Sequence, residues 1–320
     1  MSEITQSMDD KISEALDHHD CLVPLLSGGK DSMTVTNHAF TRFKKYCKPP
    51  IFINTSVSVL ATRHFVLGES KRLGWGLQML YPRVTFKEYV VDMANGFPSI
   101  GNHRFVMGYL KYWPMKKWFH KLLDEEGLKP IYVSGVRHKE SQRRTNNYDS
   151  PFVKDGRLEF VASAFDLSNV DVWDYVKQNN LNRAPAYEIL GYGGDCLCGS
   201  FAKKEELKLL QQFYKREFEH IKWIESLIPI RLMEIQKEIS FRESRIRKMS
   251  SSFFQKKNDK KKLELIYKQR RNLKVYNHWG DAGSTDDIEQ QQSLEKYLIA
   301  ENMVCGTDGC QMLIQERLAN

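Results

Sequence analysis

The chain has 320 residues, 41% hydrophobic and 28% charged, enough to bury a sizeable core in one large domain or two ordinary ones. No apolar run approaches a bilayer span, and the acidic, polar opening MSEITQSMDDKISEALDHHD lacks the apolar stretch of a secretory leader. A cytoplasmic protein with no membrane contact is expected, its six cysteines serving as thiols or metal ligands.

Cys21 to Leu26 is a short apolar run ending in Ser-Gly-Gly, as a buried parallel strand would. Ser32 to Tyr46 has helical character, Ile51 to Thr55 reads as a second strand, and Val59 to Leu73 as a helix. Val84 to Val91 is expected as a strand, and Pro114 to Glu126 as a helix with proline in its first turn. Pro130 to Gly135 is the clearest later strand. Strands alternating with helices imply an α/β fold, a Rossmann-like parallel sheet covered on both faces. The pattern changes at Phe201. From Lys203 onward Leu210, Phe213, Ile221, Ile224, Ile228, Leu232, Ile235 and Ile239 recur at helical spacing, with Pro229 expected to separate two helices. Lys256 to Lys262 reads as a solvated loop, Leu263 to Tyr276 as a helix, Gly280 to Asp287 as a loop and Ile288 to Glu301 as a last helix. The division follows: residues 1–200 as a nucleotide-handling domain, 201–320 as a basic helical region.

That region carries most of the net charge of +8. Residues 203–275 hold 21 Lys and Arg against 10 Asp and Glu, a balance of +11, which leaves −3 for the rest. Amphipathic basic helices suit a phosphate backbone, so a nucleic acid is the expected partner; a solvated arm or a dimerisation surface is the bland alternative.

The chemical signal is Ser27-Gly28-Gly29-Lys30-Asp31-Ser32 after the first strand. Two glycines let the backbone approach a polyanion and turn its amides inward. Lys30 supplies a cation, Ser27 and Ser32 hydroxyls, and the following helix its positive N-terminal end. Asp31 would repel phosphate unless a cation lay between, and Mg²⁺ is the natural bridge. A second stretch, Ser134 to Arg144, carries Gly135, Arg137, Glu140, Arg143 and Arg144. Its arginines are forked donors for phosphate or sulfate, and Glu140 is placed to hold one of them.

SGGKDS after an apolar strand resembles the PP-loop of ATP pyrophosphatases (adenine nucleotide alpha hydrolase-like proteins). Ser134 to Arg144, Asp171 to Val176 with Ala184 to Tyr187, and Gly96-Phe97-Pro98 with His103-Arg104 resemble the branch that includes PAPS reductases. The resemblance spans about residues 20–200. It implies ATP as ligand, with Lys30, Asp31 and Arg137 as the catalytic residues. Ser27, Gly28, Gly29, Ser32, Asn54, Thr55, Gly135, Glu140, Arg143 and Arg144 then complete the nucleotide site. Trp173, Tyr175 and Tyr187 are expected as core or loop anchors.

Cys196 with Cys198, and Cys305 with Cys310, are close pairs in glycine-rich settings. Four thiolates suit Zn²⁺ or an iron–sulfur cluster, and the resemblance to reductase-like proteins implies [4Fe-4S]. Cys21 reads as a buried small hydrophobe, and Cys47 has no partner close in sequence. One departure stands out. Val304-Cys305-Gly306-Thr307 lacks the Glu before and the His after the cysteine that carries the reducing thiol in sulfonucleotide reductases. The expected activity is therefore cleavage of ATP to AMP and pyrophosphate, adenylating a substrate for sulfur transfer to DNA or tRNA. A sulfur-donor protein and a second copy of the chain are further partners. A sulfonucleotide reductase and a non-catalytic nucleotide-binding subunit remain the alternatives.

Overall fold

A computed structural model describes residues 3–140, 145, 149–203, 205–248, 264 and 278–280. The described elements are α1 (Glu3–Leu16), β1 (Cys21–Pro24), α2 (Lys30–Arg42), β2 (Ile51–Ile53), α3 (Leu60–Arg72) and β3 (Gln78–Leu80), then α4 (Phe86–Glu88), α5 (His103–Val106), α6 (Trp113–His120) and β4 (Pro130–Val133). They continue with β5 (Phe152–Asp155), β6 (Leu158–Val161), α7 (Asn169–Gln178), α8 (Ala186–Leu190), α9 (Glu206–Phe213) and α10 (Lys215–Lys248). The chain divides into two compact units. One comprises Met1–Phe86, Met107–Leu197 and Glu205–His220; the other comprises Lys87–Val106, Cys198–Lys204 and Ile221–Asn320.

In the first unit β1 pairs in parallel with β4, β4 with β6, and β5 closes the edge antiparallel to β6. β2 and β3 pair in parallel, and bridges Leu22–Cys47 and Leu25–Ile51 lay β2 along β1. The strand order is thus β3-β2-β1-β4-β6-β5, and the direction of winding reverses between β1 and β4. Alternation along the strands covers both faces, as expected of a Rossmann-like sheet. Leu22, Ile131, Val133 and Val161 pack with α1, α2 and α7, whereas Val23, Tyr132 and Leu158 pack with Met115, Phe119 and Leu122.

Three expectations are corrected. Val84 to Val91 is not a strand: Phe86–Glu88 is α-helical and Tyr89–Ala94 runs on as a π-helix. Its β-branched and aromatic residues look strand-like, but Phe86, Tyr89 and Val90 are buried at the i, i+3, i+4 positions of one helical face. Pro229 does not separate two helices, because α10 runs through it. Ile221, Ile224, Ile228 and Ile239 are buried on both sides of the proline, and this apolar stripe outweighs one lost backbone hydrogen bond. The break falls instead at Tyr214. The helix from Ser32 also ends earlier, at Arg42, with a 3-10 turn over Lys44–Tyr46. Lys256 to Lys262 and the helices expected from Leu263 and Ile288 lie outside the described residues, apart from Glu264.

α2 is tied to α1 by His38, which is 1% exposed. Its Nε2 lies 2.9 Å from Asp9 Oδ1, and a carboxylate only accepts, so Nε2 carries the proton. Burial pushes the imidazole below its ordinary 6.5, with Asp9 pulling the other way. A depressed folded pKa means the unfolded chain takes up the proton first. The stabilisation is intact above 6.5 and fades as pH falls below it. His38→Gln should flatten the decline of Tm between about pH 7 and about pH 5. An unchanged slope would remove His38 from the acid limb.

Candidate nucleotide-binding site

Beyond β1 the chain turns outward at the switch between β1 and β4, the position at which open α/β sheets bind ligands. Leu25 N–H donates to Val133 O and Leu26 N–H to Ile51 O, both at 2.9 Å, so the loop leaves from between two neighbouring strands. Gly28 has φ +84, a left-handed conformation that a side chain would strain. Gly29 caps α2 with no side-chain acceptor on the first-turn amides. The loop holds its own shape through the serines. Ser32 Oγ donates to Gly29 O at 2.9 Å and accepts from Ser27 Oγ at 3.0 Å and Ser27 N at 3.2 Å.

Neighbouring segments clamp this loop. Ala184 N donates to Gly28 O at 3.0 Å, and a Cβ on Gly193 would lie 3.1 Å from Gly29 N. Thr62 Oγ1 donates to Gly193 O at 2.6 Å. On the β4 side a Cβ on Gly135 would stand 2.7 Å from the carbonyl carbon of Asp31. Gly135 is there to let two backbones touch.

Charge is concentrated at the start of α2. Lys30 and Arg137 are 4% and 5% exposed. Asp31 accepts from Lys30 Nζ at 2.7 Å and from Arg137 Nε at 2.5 Å. The carboxylate that holds Arg137 is therefore Asp31, on the other side of the switch point. Two cations on one carboxylate leave a net positive charge beside uncapped helix amides, which suits a polyphosphate. Asp31 is the one carboxylate in the loop 27–32.

The loop opens into a cleft of about 840 Å³, lined by Ser27, Gly29, Lys30, Asp31, Ser32, Gly135 and Glu140 among others. Gly28 and Arg137 are buried and are not among the lining residues. Asn54 and Thr55 are buried in their own loop: Asn54 Oδ1 accepts from Ser56 N at 3.0 Å and Thr55 Oγ1 donates to Asp195 O at 3.3 Å. Arg143, Arg144, Cys305 and Cys310 lie outside the described residues.

Among the lining residues, Tyr192, Lys111 and Asp195 are ones to which the sequence alone assigns no role. Tyr187 was expected as an anchor and does stack edge-on against Trp173, yet it also faces the cleft. Burial, and then the charge of Asp31, push its hydroxyl up. Tyr192 donates to Glu206 at 2.5 Å, and burial followed by that carboxylate raises its pKa. Lys111 Nζ donates to Asp195 Oδ2 at 2.8 Å across the wall. Lys111 sits in a π-helical stretch, Met107–Tyr112, that no simple period flags.

Cys196 is half-buried, while Cys198 is buried, its Sγ 3.5 Å from Ser200 Oγ. Among the described residues no group of three or more His, Cys, Asp and Glu gathers as metal ligands would. Burial raises the Cys21 and Cys47 thiols to about 11 and about 12, so both stay protonated.

The sequence profile of the phosphoadenosine phosphosulfate reductase domain matches residues 21–192. No curated protein matches the chain. Among solved structures, phosphoadenylyl-sulfate (PAPS) reductase from Candida auris, in its phosphate complex, is 16% identical, with TM-score 0.42 over 58% of this chain and 85% of that one. The U34-tRNA thiolase NcsA from Methanococcus maripaludis, with its [4Fe-4S] cluster, is 12% identical, with TM-score 0.38 over 71% of this chain and 78% of that one.

Proposed function

The chain belongs to the phosphoadenosine phosphosulfate reductase domain family, and from that premise we propose that it is an ATP pyrophosphatase serving sulfur transfer to a nucleic acid. ATP with Mg²⁺ occupies the cleft, its phosphates on the loop 27–32. An acceptor oxygen attacks the α-phosphorus, the bond to the bridging oxygen of the β-phosphate breaks, and pyrophosphate leaves with the electron pair. AMP is then displaced from the adenylated acceptor by a sulfur nucleophile. Lys30 and Arg137 would offset the charge that grows on the leaving pyrophosphate, and Asp31 would orient both cations and face the metal.

The observation that carries this reading is the Lys30–Asp31–Arg137 cluster at an uncapped helix start. Residues 1–200 supply the nucleotide chemistry and 201–320 the contact with the acceptor, through the basic stretch 203–275. The family's own sulfonucleotide reduction is the second reading. Pyrophosphate released from ATP supports the first; thiol-dependent sulfite release without ATP cleavage replaces it with the second.

Cys196, Cys198, Cys305 and Cys310 are proposed to share one [4Fe-4S] centre, or Zn²⁺, which when bound would present sulfur or hold the two segments together. Replacing any one with Ser should release most of the metal, because an incomplete thiolate shell loses charge and geometry together. Cys21→Ser and Cys47→Ser should leave iron, sulfide and zinc contents unchanged. Full metal in all four single variants would separate the pairs.

A further inference from the structure

α6 and the π-helical stretch before it have two working faces. Lys111, Tyr112 and Met115 line the nucleotide cleft, whereas Trp113, Pro114, Lys117 and Trp118 line a separate groove of about 610 Å³. The far wall of the groove is the end of β3, with Met79 and Tyr81. Tyr81 is 61% and Trp113 38% exposed, both high for large rings. Lysines ride on the tryptophans: Lys117 Nζ stands 5.9 Å from the Trp113 ring centre and Lys121 Nζ 5.0 Å from that of Trp118. From Lys111 to Lys121 there are four lysines and no acidic residue, and exposed Arg83 follows Tyr81 by two positions. Asp124 and Glu125 also line the groove.

We propose that this groove binds single-stranded nucleic acid, with bases stacked on Tyr81 and Trp113 and phosphates on Lys117 and Lys121. The chemistry favours this occupant over a protein. Protein interfaces use aromatic rings but are depleted in lysine, whereas single-strand sites combine stacking platforms with a basic track. A duplex does not fit, because its base faces are already stacked. Asp124 and Glu125 repel phosphate and so mark where the track ends. The strand then runs one helix thickness, about 10 Å, from the cleft. The proposal rests on the reading that the acceptor is a nucleic acid, and narrows it to an unpaired segment such as a loop or a displaced strand.

The test uses the intact chain without ATP, titrated with a labelled single-stranded thymidine or uridine oligomer and with a matched duplex. Tyr81→Ala and Trp113→Ala should each weaken oligomer binding roughly 5- to 100-fold, while Tyr81→Phe and Trp113→Phe keep it. Lys117→Ala and Lys121→Ala should each flatten the salt dependence by about 0.7 in log–log slope. ATP binding in the cleft should survive in all six variants and reports that they fold. Unchanged oligomer affinity in both Tyr81→Ala and Trp113→Ala overturns the groove. If binding is then lost on reversing Lys260, Lys261 and Lys262 to Glu, the nucleic-acid function stands without it. A wild type that binds neither strand nor duplex overturns both, even with ATP cleavage intact. Variants that change only self-association in sedimentation make the groove a contact between copies, which also overturns it.

Discussion

Arg137→Ala is expected to reduce ATP affinity by roughly 100-fold or more, and to destabilise the fold by about 1.5–3 kcal/mol, as the loss of a hydrogen bond between charged groups does. The guanidinium is 5% exposed and sits on Asp31, which has Lys30 as its second cation. Without Arg137, Asp31 and Lys30 neutralise each other, and no net positive charge is left for phosphate. Arg137→Lys should recover part of the affinity, because it restores charge but not the planar fork. Asp31→Asn combined with Arg137→Gln should depart from the sum of the single losses, since the two side chains are in direct contact. Calorimetric titration with ATP and Mg²⁺, alongside thermal melts, reads both effects. Wild-type affinity in Arg137→Ala would remove this cluster from nucleotide binding.

Gly135→Ala should be nearly as damaging, though it adds a single methyl group. That methyl would stand 2.7 Å from the carbonyl carbon of Asp31 and 2.8 Å from the amide nitrogen of Ser32. Both are backbone atoms at the start of α2 and cannot rotate away, so the loop and β4 must part. Overpacking of this kind costs about 1–3 kcal/mol in stability. The displaced Asp31 should lower ATP affinity by about tenfold or more. Gly29→Ala supplies the contrast: its φ is −77 and the nearest atom to the new methyl is Ser27 Oγ at 3.6 Å. Near-normal melting in Gly29→Ala beside a lowered Tm in Gly135→Ala would locate the effect in the approach between the two segments. If both variants bind ATP alike, that approach is not what shapes the site.

Much of this site could be read from the chain because it is built from local pattern. The apolar strand, the glycine turn and the helix start are contiguous, and Arg137 follows the next clear strand, Pro130–Val133. The cleft's other wall was illegible for physical reasons. Lys111 lies in a π-helical stretch whose side chains follow neither a 3.6 nor a 2.0 period. Asp195 joins it only through an 84-residue separation in sequence. The strand Gln78–Leu80 spans three residues, too short to show alternation. α1 is masked by composition: Met8, Ile12 and Ala15 are fully or almost fully buried at helical spacing, behind the acidic residues that dominate the segment.

The position of β1 also sets an order of events in folding. It is the middle of the strand order, and its β4 neighbour begins at Pro130, opposite Cys21. During synthesis β1 therefore emerges with one flank open, and β2 and β3 can cover only the other. Backbone groups and the apolar run Cys21–Pro24 stay unpaired on that flank until β4 has been made, and β4 in turn waits for β6. Loop closure over such spans makes the rate slow and leaves an adhesive strand edge exposed meanwhile. The nucleotide loop, whose walls come from β1 and β4 together, takes its shape only after that closure. Added ATP should accordingly raise the yield of refolded chain by trapping the closed sheet, and have no effect on how quickly the sheet first closes.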